Sequence, residues 1–302
     1  MAEDADFKQK VKDITDSGMT PEEKIDALNN LQAGLNQLND GAQIILISET
    51  GALIAAKADR PEMAAQFCLI RAKVEMAGSG ALVGEMKNIK MSIDWFGFGL
   101  EAEEKRYKKL EADFNASWNR ARAVIDMGYK FLNKRPFVGA VAYCHRTVGE
   151  IYGQRYLHLK LHLFVSVNPW RAKIANYAIS RWLGIDDLLT TNKESRAQLR
   201  AIKKDCIGAL HQAKRLFARE KAWAFLVETY FTLALEHHSF NDTVRSKFYL
   251  WWGWLCMRLH GLSEPRLDAS FKSLRKFPLI GSNRDDDIAR ELRPKIDPEE
   301  TA

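Results

Sequence analysis

The sequence holds no apolar run long enough to cross a bilayer. Its most apolar stretch, AWAFLVETYFTLAL at 222–235, carries Glu228 and falls short of the ~20 apolar residues that a spanning helix needs, so it reads as a buried core helix. Proline and glycine are also scarce, at 8 and 18 of 302 residues, while Ala, Leu, Lys, Glu and Arg dominate; that balance favours helix over sheet. The four cysteines, Cys68, Cys144, Cys206 and Cys256, are far apart, with no C-x-x-C spacing, and each has apolar neighbours. A thiol so placed behaves as a small hydrophobe, which points to a reducing, cytoplasmic setting. The first ten residues, MAEDADFKQK, are charged and lack the apolar region of a secretory leader.

The motifs of common catalysis are missing too. The sequence contains no G-x-S-x-G elbow, no G-x-x-x-x-G-K-[ST] loop and no H-E-x-x-H pair. The loop Phe96-Gly97-Phe98-Gly99 lacks the preceding strand and the further glycines of a phosphate cradle. His158 and His162 are four apart and would share a helix face, but two imidazoles with no third donor at matching spacing are not a metal site. Together with His145, they are expected on the surface or in a groove. No enzyme activity, cofactor or metal is expected.

What is present is helical punctuation. Thr20-Pro21-Glu22-Glu23 is a capping box with proline in the first turn, opening a helix to about Asn39. Residues 1–19 are polar and are expected to be a flexible N-terminal segment. Ile44 to Lys57 reads as a helix, and Pro61 opens another, which Gly78-Ser79-Gly80 is expected to close. From Glu101 to Asn133, Tyr107, Leu110, Phe114, Ser117, Ala121, Val124, Gly128 and Phe131 recur at alternating steps of three and four, a heptad seam. Such a seam serves an internal long helix or a homodimer through 107–131.

Residues 135–169 carry the main ambiguity. Phe137, Val141, Cys144, Val148 and Ile151 share one helical face, and Gly153 is expected to end that helix. Beyond it, Leu157 to Leu163 alternates strictly with His158, Lys160 and His162, which suits a strand as well as a helix; helix is the preferred reading. Asn168-Pro169 and Thr191-Asn192-Lys193-Glu194 announce further helices, followed by 222–235, 241–259 and 265–276. The total is about a dozen helices in one domain over 20–280, with a sub-boundary near 184–191 and a disordered charged tail at 281–302.

Helix pairs of this length with glycine or proline at the turns resemble the tetratricopeptide-repeat family. Gly149 with Tyr152 fits the late first helix of that pattern, Gly51 with Ile54 echoes it, and Phe67 stands where an aromatic belongs on the second helix. Leu161 and Met63 stand where the pattern has alanine, and the likeness covers at most 41–168. The resemblance implies an all-α helical-hairpin array, an α-solenoid, that binds a protein or peptide in a groove.

The sharpest functional pattern lies downstream. At 100° per residue Lys193, Arg196, Arg200, Lys203, Lys204, His211, Lys214, Arg215, Arg219 and Lys221 fall within an arc of roughly 160°. Leu199, Ile202, Cys206, Ala209, Ala213, Leu216 and Phe217 fill the opposite arc. Solvated faces usually mix signs, because like charges at i, i+4 repel. This face, with the net charge of +6, suits an acidic protein or peptide partner, or alternatively nucleic acid. Trp251, Trp252 and Trp254 are too close in sequence to share one face, so at least one should be partly exposed. The reading is a non-catalytic scaffold or adaptor, with a nucleic-acid-binding accessory protein as the alternative.

Overall fold

A computed structural model describes residues 2–35, 40–96, 100–133, 138–166, 193–240 and 242–276. Ten α-helices and no strand are found among them: α1 (Ala2–Asp16), α2 (Pro21–Ala33), α3 (Gly41–Lys57), α4 (Pro61–Phe96), α5 (Leu100–Leu132), α6 (Val138–Ser166), α7 (Lys193–Arg219), α8 (Trp223–Ser239), α9 (Thr243–Leu259) and α10 (Pro265–Arg275). The expected all-α class holds, with ten described helices rather than about a dozen. The helix expected after Asn168-Pro169, the sub-boundary near 184–191, the start of the Thr191 box and the 281–302 tail lie outside the described residues.

Local signals set several ends. At α2 the Thr20 hydroxyl accepts from the Glu23 amide at 3.3 Å, and the Glu23 carboxylate accepts from the Thr20 amide at 2.8 Å, so two otherwise orphaned donors are satisfied. Asp242 caps α9 by accepting from the Arg245 amide at 3.1 Å. Pro265 opens α10, where its missing N–H costs nothing.

Three expectations are corrected. The segment at 1–19 is not irregular: residues 2–16 form α1, whose Phe7 and Val11 are buried in a core shared with Ile25, Leu28, Ile47 and Phe67. Gly78-Ser79-Gly80 does not close a helix, because α4 runs through it. Gly80 and Ser79 make room for His158 instead: a Cβ on Gly80 would stand 3.0 Å from its ring, and the buried Ser79 hydroxyl bonds His158 Nδ1 at 2.8 Å. Likewise α6 continues through Gly153, so residues 138–166 are one helix and not a hairpin. Leu157 to Leu163 is helical within it.

The core follows the chain. The helices α1 to α4 share one apolar cluster; α4, α5 and α6 share a second; and α4 to α10 contribute to a third that contains Phe114, Leu210, Phe217 and Phe231. The α5 seam is consumed internally, with Phe114, Ser117, Ala121 and Val124 buried and α4 packed along α5. That packing overturns a homodimer through 107–131, since the face is already covered by the chain itself. Beyond α4, the even-numbered helices touch in succession, α4 to α6, α6 to α8 and α8 to α10, while α5 packs mainly on α4, α7 on α6 and also α8, and α9 mainly on α8. This succession brings side chains from four helices onto one side.

Candidate functional site

On the side made by the even-numbered helices, a cleft of about 570 Å³ opens between α6, α8 and α10. Phe231, Leu235 and Leu274 provide apolar lining, and a chain of alternating charge runs along it. Lys73 of α4 meets Glu150 of α6 at 3.0 Å; Arg146, one turn before Glu150, lies 3.6 Å from it. Arg146 also pairs with Glu228 of α8, which takes Arg266 of α10 on its other oxygen. Four successive even-numbered helices are thereby joined by five charges of strictly alternating sign.

The pairs differ in depth, which decides what each contributes. Arg146 and Glu228 are 12% and 15% exposed, so their attraction is little screened, whereas Arg266 is 71% exposed and its pairing is correspondingly weak. The Arg146 guanidinium also lies 5.2 Å from the Tyr143 ring centre and 5.9 Å from that of Phe225, a cation–π setting that holds it against the wall. Its Nε is sealed from solvent and faces the Glu150 carboxylate beyond hydrogen-bond distance, so Arg146 belongs to the cleft wall.

The sequence reading did not identify this constellation. The signal available was Glu228 itself, the one charge in the apolar run 222–235. A buried carboxylate needs a partner. Which partner could not be read, because Arg146 is 82 residues away in sequence.

The basic face of α7 is only partly a surface. Arg200, Lys204, Arg215, Arg219 and Lys221 are exposed; the side chains of Lys193 and Arg196 lie outside the described residues. Lys203, His211 and Lys214 are half-buried against aromatic rings. The Lys203 amine lies 5.2 Å from the Phe240 ring centre, the Lys214 amine 5.8 Å from that of Tyr249, and His211 Nε2 bonds the Tyr249 hydroxyl at 3.0 Å. Three of the stripe's groups therefore knit α7 to α8 and α9.

Of the histidines expected on the surface or in a groove, His158 is a core residue, His162 is buried yet lines the cleft between α5, α6 and α7, and His145 is half-buried. His158 and His162 are buried, and burial drops the His158 imidazole to about 4, so it stays neutral. His162 stacks on Phe114 and sits 3.3 Å from Glu111. His145 bonds the Tyr129 hydroxyl at 2.8 Å, and its imidazole is likewise lowered by burial. His237, in the last turn of α8, is buried 3.4 Å from Asp242 and lowered to about 4, again first by burial. Among the described residues no group of three or more His, Cys, Asp or Glu could hold a metal ion.

A second cleft, about 600 Å³, lies between α5, α6 and α7, with Arg122, Glu111 and Asp205 on its walls. Arg155 at its base is 4% exposed, lies 4.0 Å from the Phe114 ring centre and donates to Asn115 at 3.2 Å. Burial lowers this guanidinium to about 10. Its role is to hold α5 against α6.

Comparison with protein-family models, with curated proteins and with solved structures finds no match to the chain. No described helix is long and apolar enough to cross a membrane.

Proposed function

We propose that the chain is a non-catalytic scaffold that binds a protein or peptide partner in the cleft between α6, α8 and α10, on a succession of packed helices. The observation that carries this reading is the alternating chain Lys73, Glu150, Arg146, Glu228 and Arg266 beside an apolar floor. An extended peptide offers the matching chemistry: carbonyls or carboxylates for the exposed Arg266, and apolar side chains for Phe231 and Leu235. The exposed cations Arg200, Lys204, Arg215 and Arg219 add a basic face that favours an acidic partner.

The test is selection of random displayed peptides on the full chain, followed by calorimetry of the enriched peptides on wild type and on Ser273→Trp. Ser273 is an exposed wall residue of the cleft, so an indole there fills the space without breaking an ion pair. Affinity should fall about tenfold or more. Unchanged affinity would dismiss the cleft.

A further inference from the structure

The helix α9 is apolar on two sides. Its inner side, with Leu250, Gly253 and Met257, belongs to the core. Its outer side carries Val244 at 80% exposed, Phe248 at 52%, Trp251 at 50%, Trp252 at 37% and Leu259 at 71%. At 100° per residue these five fall within an arc of about 100°, a stripe about 22 Å long at 1.5 Å per residue. Large exposed apolar patches of this kind mark contact surfaces.

Charge selects the contact. Between Thr243 and Leu259 there is no Asp or Glu, and Arg245, Lys247 and Arg258 are the charged residues. On the same projection Arg245 falls at one edge of the stripe, and Lys247 and Arg258 at the other. The Asp242 cap lies 3.3 Å from Arg245.

Ring geometry separates lipid from bases. Phe248 and Trp252 meet at 72°, as do Trp251 and Trp252, so the rings form an edge-to-face cluster rather than parallel platforms. Aliphatic Val244 and Leu259 at the ends offer nothing on which a base could stack. A bilayer interface accepts aliphatic and indole groups alike, and takes cations at the edges of the apolar stripe at headgroup level.

We infer that the outer face of α9 docks in the plane of an anionic lipid surface, with Phe248 and Trp251 entering the acyl boundary and Arg245 and Arg258 meeting the lipid phosphates and carboxylates. This goes beyond peptide binding in the cleft, which lies on α6, α8 and α10.

The experiment is co-sedimentation of the full chain with vesicles of phosphatidylcholine plus phosphatidylserine and with phosphatidylcholine alone, followed by tryptophan emission. Wild type should sediment with the anionic vesicles only, with a blue shift. Phe248→Ser/Trp251→Ser should lower the partition about tenfold or more, and Arg245→Gln/Arg258→Gln should weaken it and flatten its salt dependence. Both pairs are changes at exposed positions, and unchanged circular dichroism checks the fold. Failure to sediment with anionic vesicles overturns the proposal. So does sedimentation unaffected by the Phe248/Trp251 pair. A dimer in ultracentrifugation that this pair dissolves would assign the face to a second copy, and tight single-stranded RNA binding lost in the same variant would assign it to nucleic acid; either result overturns the lipid assignment.

Discussion

Gly153 of α6 and Glu236 of α8 are in direct contact: a Cβ on Gly153 would stand 2.2 Å from the Glu236 carboxyl carbon. Glycine there permits α6 to remain one helix while α8 passes against it. Alanine would gain up to about 1 kcal/mol in helix propensity. It would also force a fully buried carboxyl to move, at about 1–3 kcal/mol. Urea unfolding of Gly153→Ala should show net destabilisation of about 1–2 kcal/mol, and the loss should shrink when Glu236→Ala is added, because the two positions share one clash. Additive losses would count against this contact.

The pH dependence of stability should show a maximum near neutrality. Burial raises Glu236 from the ordinary 4.5 to about 8, and Oε2 has no hydrogen-bond donor among the described residues. The folded state therefore holds this proton after the unfolded chain has released it, so the stabilisation is lost as pH rises through that window. The neutral histidines act oppositely. With His158 and His237 lowered to about 4 from 6.5, the unfolded chain takes up protons that the folded one refuses, and stability falls as pH drops below about 6.5. Thermal melts should peak near pH 6.5, and Glu236→Gln should flatten the alkaline limb alone.

Removing the Ser79 hydroxyl tests why α4 passes through Gly78-Ser79-Gly80. The His158 ring nitrogen it bonds at 2.8 Å is buried and would be left without its partner. Ser79→Ala should cost about 1–3 kcal/mol in chemical denaturation.

The two arginines on Glu228 should prove unequal. Glu228→Ala leaves the little-exposed Arg146 with only the longer Glu150 pairing at 3.6 Å and should destabilise by roughly 1–3 kcal/mol, discounted from a fully buried pair. Arg266→Ala removes an exposed partner and should change stability by no more than about 0.5 kcal/mol. A double-mutant comparison by urea unfolding separates them.

Much of this fold was legible because its signals are local. The Thr20 box, Pro61, Pro265 and the α5 seam each declare a helix from residues within a few positions of one another. Gly80 and Gly153 misled for the converse reason. A glycine inside an apolar pattern signals either a turn or a close approach, and the choice depends on His158 and Glu236 arriving from elsewhere in the chain. The same limit applied to the surface chemistry. The α7 stripe was visible as a pattern, but the aromatic residues Phe240 and Tyr249, which draw in Lys203, His211 and Lys214, lie on segments that no projection of α7 includes. The charge chain of the cleft spans four helices, so only its most anomalous member, Glu228, left a mark in the sequence.

Hydrogen–deuterium exchange of the full chain with and without a selected peptide tests the central claim most directly. Binding in the cleft should slow exchange in α6 around Arg146, in α8 around Phe231 and in α10 around Ser270, while the exposed face of α7 stays unchanged. Protection confined to α7, or to the cleft between α5, α6 and α7, would contradict the assignment.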